Sequence, residues 1–139
     1  MSEAYRLFQL GLTKLNDGHA DEAIVPLERA KRLEPDSMSI LEALGRTYLK
    51  VGFYDRAVEA FETILEREPI DAYAHYCVGR ASDRLGQRTE ARHHYRLAMF
   101  FGPEQRIYLE TMRAFMARAF PEEEWFIADH DDGSLAADG

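Results

Sequence analysis

The sequence predicts an all-α solenoid: three helix–turn–helix repeats stacked side by side and closed by a capping helix. Four recurrent positions predict it. Gly11, Gly45 and Gly79 recur at a spacing of 34 residues, and Gly18, Gly52 and Gly86 keep the same spacing. So do Ala23, Ala57 and Ala91, and so do Pro35, Pro69 and Pro103. A unit of two amphipathic helices cannot bury its apolar face alone. Stacking builds the core and leaves a long concave surface free for a partner.

The first unit reads as helices over about 3–17 and 21–33, the second over 38–51 and 55–67, the third over 72–85 and 89–101. Gly18, Gly52 and Gly86 fall where each pair must reverse, because glycine takes a positive φ without a Cβ clash. Asp21, Asp55 and Thr89 then offer side-chain oxygens to free helical N–H groups. Pro35, Pro69 and Pro103 end the second helices, since proline bars the residue before it from helical φ/ψ. Gly11, Gly45 and Gly79 lie mid-helix, where glycine costs about 1 kcal/mol against alanine. That cost, repeated in each unit, implies helices crossing too closely for a side chain, with Ala23, Ala57 and Ala91 as the matching small residues. Leu7, Leu10, Leu27, Leu41, Leu44, Phe61, Val78, Tyr95 and Leu97 supply bulk around them. A seventh helix over about 104–120 carries Leu109, Met112 and Met116 as a covering stripe, with Arg106, Arg113 and Arg118 toward water. Pro121 stops it.

The chain has 139 residues and a formal net charge of −8. From Pro121 onward there are seven acids and no Lys or Arg, which leaves 18 of the 25 acids to balance all 17 bases in residues 1–120. A near-neutral body argues against nucleic acid, whose phosphates need a concentrated basic surface. No apolar run approaches the ~20 residues that cross a bilayer, and Met1–Leu15 lacks the layout of a signal peptide. Cys77 is the single cysteine. Without a disulfide partner it points to a reducing, cytoplasmic setting. The expected domain is residues 1–120, followed by an acidic tail over 121–139.

These residues resemble the tetratricopeptide repeat. The signature is carried by Leu7, Leu10–Gly11, Ala23, Leu27, Ala30 and Pro35. It returns as Leu41, Leu44–Gly45, Tyr48, Ala57, Phe61, Ile64 and Pro69, then as Val78–Gly79, Ala91, Tyr95, Ala98 and Pro103. Lys14 and Ser82 depart from the usual tyrosine, and His75 from a large apolar residue. The resemblance implies a right-handed superhelix whose first helices line a groove for an extended or helical peptide. It also implies a test. Members that clamp the C-terminal carboxylate of chaperones need Lys, Asn, Asn, Lys and Arg where this chain has Phe8, Leu12, Ala43, Tyr73 and Cys77, so that ligand is not expected.

Helical spacing puts Tyr5, Phe8, Gln9, Leu12 and Asn16 on the inner face of the first unit. Ser39, Glu42, Ala43, Arg46 and Lys50 follow in the second, then Tyr73, Tyr76, Cys77, Arg80 and Arg84 in the third. The candidate peptide-binding residues are Tyr5, Phe8, Leu12, Arg46, Lys50, Tyr73, Tyr76, Arg80 and Arg84. Apolar rings beside cations suit a peptide with aromatic or aliphatic anchors next to acids. The competing reading makes some of these aromatics packing residues between helices.

Arg88, Arg92 and Arg96 form a basic stripe, and Glu59, Glu62 and Glu66 an acidic one on the preceding outer helix. Inter-repeat ion pairs between them are expected. His93 and His94 point about 100° apart, and Glu90 with His94 lacks further ligands, so no metal site is expected. His75 reads as a boundary histidine and Cys77 as a small filler. In the tail, Trp125, Phe126 and Ile127 follow Glu122–Glu124. They could be solvated, packed on the capping helix, or a groove ligand. About five residues beyond the last helix, Trp125 reaches roughly 17 Å. That spans the capping helix and the Tyr73–Arg80 region, but Tyr5, Phe8 and Leu12 would need a second chain.

No phosphate loop, dinucleotide fingerprint, zinc-protease motif or nucleophile–base pair is present, so neither an enzyme nor a cofactor is expected. The leading expectation is an adaptor or scaffold holding a peptide segment of another protein. A self-associating or autoinhibited module using its own tail is the second, and a small co-chaperone-like secretion or assembly chaperone the third.

Overall fold

The computed structural model describes residues 1–123, so the expectations placed on Trp125, Phe126 and Ile127 lie outside the described residues. Among the described residues there are seven helices and no strand. They are α1 (Glu3–Asn16), α2 (Ala20–Leu33), α3 (Met38–Val51), α4 (Tyr54–Arg67), α5 (Ala72–Arg84), α6 (Arg88–Phe101) and α7 (Arg106–Ala119). Consecutive helices pack together, and α1 also touches α3 while α3 touches α5. The first helix of each unit therefore shares one surface with its counterparts, as a right-handed solenoid requires.

Gly18, Gly52 and Gly86 reverse the chain within each unit at φ of 85°, 90° and 78°. The second helices start one residue earlier than expected. Their N-caps are His19, Phe53 and Gln87, and none makes a side-chain capping bond. Asp21 and Asp55 thus lie inside the first turn, where a negative charge favours the helix dipole rather than capping it. The first helices are the capped ones. Ser2 Oγ accepts from the Tyr5 N–H at 3.0 Å, Ser37 Oγ from Ile40 at 3.3 Å and Asp71 Oδ1 from Ala74 at 3.0 Å.

The mid-helix glycines face side chains, not backbone. A Cβ on Gly11 would collide with the Leu27 side chain, one on Gly45 would stand 2.5 Å from the Phe61 ring, and one on Gly79 2.7 Å from the Tyr95 ring. Leu27, Phe61 and Tyr95 are themselves buried, as are Ala23, Ala57 and Ala91. Each glycine opens a slot for one large residue of the paired helix. Apolar side chains then join the units. Leu27, Ile40, Leu44 and Tyr48 build one cluster, Leu41, Phe61, Ile64 and Val78 the next, and Tyr95, Met112, Phe115 and Met116 the last.

Three packing expectations change. Leu10 is 48 % exposed, whereas its counterparts Leu44 and Val78 are buried. The buried face of α7 is rotated toward Tyr108, Met112, Phe115 and Met116, which leaves Leu109 half-buried. The basic stripe does not pair with Glu59, Glu62 and Glu66. Arg88 and Arg92 turn instead to the end of α7, where Arg92 meets Glu123 at 3.1 Å. Arg118 on α7 holds Asp83 of α5 through two bonds of 3.0 and 2.9 Å.

His75 lies in the third unit, buried between α5 and α6. Its Nε2 is 2.8 Å from the Pro69 carbonyl, which can only accept, so Nε2 carries the hydrogen. His75 Nδ1 is then free to accept from the Nδ1–H of His94 at 3.0 Å. Burial, then the neighbouring His75 and His93, push His94 down to about 4. The unfolded chain takes up this proton near 6.5, so it binds more protons than the fold between those two values. Stability is therefore complete above pH 6.5, falls as pH drops toward 4, and loses nothing further from this residue below that. Thermal melts from pH 7.5 to 4.5 should show that slope, and His94→Leu should flatten it. An equal slope in the variant would assign the loss to other groups.

Candidate peptide-binding groove

The surface shared by α1, α3 and α5 carries two hollows rather than one continuous trough. Near the first unit, Tyr5 and Phe8 of α1 meet Ala4, Ser37, Ser39 and Ile40 around a cavity of about 340 Å³. Tyr5 is 46 % exposed, while Phe8 is half-buried against the first core cluster together with Leu12. Ser37 caps α3, so the α2–α3 turn fixes the floor of this hollow. With Ser2 and Glu34 also in its lining, it is an aromatic mouth with hydroxyls and one carboxylate at the rim.

The second hollow is cationic. Arg46, Leu49 and Lys50 of α3 and Tyr73 and Arg80 of α5 surround a cavity of about 160 Å³. Arg46 and Lys50 are one helical turn apart, and Tyr73 and Arg80 two turns apart, which aligns each pair on one helix face. Among the described residues, Arg46, Lys50 and Arg80 make no ion pair within the chain. Arg80 lies 5.8 Å from the Tyr76 ring centre. Tyr73 meets Phe61 edge-on at 6.1 Å, so its ring is braced by the core while 37 % of the residue stays exposed.

The remaining inner-face residues go elsewhere. The Tyr76 ring lies 4.8 Å from Tyr108, and its hydroxyl is 3.2 Å from Thr111 Oγ1, so it joins α5 to α7. Arg84 leans over Tyr54 at 5.8 Å, toward the turn of the second unit. Ala43 and Cys77 are buried within the helix layer. Burial pushes the Cys77 thiol up to about 12, so its thiolate is scarce at neutral pH. The native protein should therefore resist a thiol-specific reagent until it is unfolded. Rapid stoichiometric labelling under native conditions would contradict that burial. Sequence spacing did not single out Ile40 or Leu49, which the stacking of the units brings to the hollows.

Among the described residues, no group of three or more His, Cys, Asp or Glu side chains could hold a metal ion. No helix among them is long and apolar enough to cross a membrane.

Comparisons with known proteins agree with this architecture. The family model for the tetratricopeptide repeat matches residues 42–105. Superkiller complex protein 3 of Mus musculus is 32% identical over 87 residues, which is 63% of this chain but 6% of that protein. The chain thus spans a small part of that relative's length. Among solved structures, MamA (41-end) from Desulfovibrio magneticus RS-1 superposes with a TM-score of 0.83 at 24% identity, covering 91% of this chain and 71% of that one. A thermophilic TPR protein of Thermus thermophilus superposes with a TM-score of 0.73 at 22% identity, covering 82% of this chain and 64% of that one. At these identities the superpositions show the shared fold.

Proposed function

We propose that this chain, which matches the tetratricopeptide-repeat family over residues 42–105, is a non-catalytic adaptor that holds a peptide segment of a partner protein on the α1–α3–α5 surface. In this reading residues 1–120 are the binding domain. Tyr5, Phe8 and Leu12 take an aromatic or aliphatic anchor, and Arg46, Lys50 and Arg80 take acidic residues, with Tyr73 braced between. Tyr76 and Arg84 contribute from the edge, through the packing of Tyr76 on α7 and the lean of Arg84 over Tyr54. The observation that carries the reading is the cationic hollow. It gathers three cations on two adjacent first helices, and among the described residues no carboxylate forms an ion pair with them. Such cations beside an exposed ring invite a partner that supplies the missing charge.

A peptide array of random sequence tests it. Spots retained by the chain should be enriched in Asp or Glu within a few residues of Phe, Tyr, Trp or Leu. Enrichment of Lys and Arg, or retention indifferent to charge, would overturn the reading.

A further inference from the structure

α7 continues the layer of first helices. Its side chains meet α5 at two levels. The Tyr76 hydroxyl lies 3.2 Å from Thr111 Oγ1 and its ring 4.8 Å from Tyr108, while Arg118 donates to both carboxylate oxygens of Asp83. Counting 34 residues on from Tyr73, Tyr76 and Arg80 gives Ile107, Glu110 and Ala114. All three are exposed. They share one face of α7, and Met112, Phe115 and Met116 occupy the opposite face, packed with Tyr95. Ile107, Glu110 and Ala114 thus repeat on α7 the face that α1, α3 and α5 turn to the groove.

Across these four helices the groove face changes character twice. On α1 it is apolar, with Tyr5 exposed and Phe8 and Leu12 half-buried. On α3 and α5 it is cationic, with Arg46, Lys50 and Arg80 around one hollow. On α7 it becomes apolar again at Ile107, which is 48 % exposed, and at Ala114. The α7 cation nearest this face, Arg118, is held by Asp83, and Glu110 lies 3.9 Å from Arg106. Tyr73, 37 % exposed, leads from the cationic hollow toward α7: its ring is 6.4 Å from Tyr76, which packs on Tyr108 beside Ile107.

We propose that α7 is the fourth wall of the groove, where Ile107 and Tyr73 take a second apolar anchor from the same partner segment. Given the adaptor reading, on which this rests, the segment is apolar at both ends and acidic between them. Charge selects that order. Acids belong at Arg46, Lys50 and Arg80, whereas an acid carried on to α7 would meet Glu110. A second copy fits the face poorly, because its cations lie mid-face and two copies laid face to face would bring like charges together. Spacing follows from the layer. Packed helices stand about 8–10 Å apart, so α1 and α7 are separated by roughly 24–30 Å. At ~3.4 Å per residue an extended segment crosses that distance with about eight residues between its anchors.

The experiment uses the full chain and labelled peptides built of serine and glycine, with central glutamates and a phenylalanine at each end, about eight residues apart. In the companion peptides one phenylalanine or the other becomes serine. Fluorescence anisotropy should show the parent binding the two-anchor peptide about fivefold or more tighter than either companion, through the apolar surface buried at α7. Ile107→Ser, a change at an exposed position, should remove that advantage and leave the affinity for the companions unchanged. Arg46→Glu/Arg80→Glu should weaken all three peptides. Equal affinity for all three in the parent overturns the part given to α7, as does an advantage that survives Ile107→Ser. If binding still responds to the arginine reversal in either case, the adaptor reading stands without α7. A chain that binds none of the peptides overturns the adaptor reading and this inference together. A mass that rises with concentration in the parent but not in Ile107→Ser assigns the α7 face to a second copy and also overturns it.

Discussion

Gly45→Leu should destabilise the fold by about 3 kcal/mol or more, the largest single-residue effect expected in this chain. The hydrogen of Gly45 faces Phe61, which is fully buried, and a Cβ would already stand 2.5 Å from Cε2 and 2.8 Å from Cζ of that ring. The ring cannot swing away, because Phe61 packs with Leu41, Ile64 and Val78, and its edge meets Tyr73. A leucine must therefore push α3 and α4 apart. That separation would open the middle unit, on which both neighbours stack. Replacing glycine within a helix gains about 1 kcal/mol of propensity, which the overpacking exceeds. Gly45→Ala should fall between the two. Urea denaturation checks this, and a Gly45→Leu protein as stable as the parent would show that the slot for Phe61 does not exist.

The second large effect concerns binding. Arg46→Glu with Arg80→Glu should weaken an acidic–aromatic peptide at least tenfold, and the parent's affinity should fall as salt rises. Exposed charges are screened over a Debye length of about 8 Å at physiological ionic strength. One exposed ion pair contributes little, about 0–1 kcal/mol. Reversing two cations removes two attractions and adds two repulsions, which together reach the ~1.4 kcal/mol that corresponds to tenfold. Fluorescence anisotropy of a labelled peptide at two salt concentrations reads both terms. Affinity indifferent to the reversal and to salt would place the peptide elsewhere.

Much of the fold was legible in the sequence because its determinants are local. The reversal at Gly52 needs only a residue that tolerates φ of 90°, and the end of α4 needs only Pro69. The role of Gly45 was half legible. Its repetition announced a close approach, but only the pairing of α3 with α4 shows that the approaching group is the Phe61 ring. The ends of the array were read least well. Leu10 has the same apolar character as Leu44, and nothing in its local sequence says that it faces solvent. Arg88 and Arg92 looked like partners for Glu59 and Glu62 because charge stripes on neighbouring outer helices suggest pairing. The structure instead gives them Phe120 and Glu123, contacts 31 residues away for the hydrogen bonds to Ala119 and Glu123.

The candidate groove was legible as a face but not as two hollows. Spacing placed Tyr73 and Tyr76 together on α5, and their rings do lie 6.4 Å apart, but the ~60° between them around the helix sets Tyr73 at the cationic hollow and Tyr76 against α7. The bond of Tyr76 to Thr111 depends on α7, which lies outside the three repeats. Periodicity alone placed Arg46, Lys50 and Arg80 on the first-helix face, and the structure sets them around one hollow.

The most direct test of the adaptor reading is an amide NMR titration of the full chain with the best peptide from the array. Shift changes should concentrate on α1, α3 and α5, at Tyr5, Phe8, Arg46, Lys50, Tyr73 and Arg80, and should saturate together at one peptide per chain. Changes confined to α2, α4 and α6 would contradict a binding surface on the first helices.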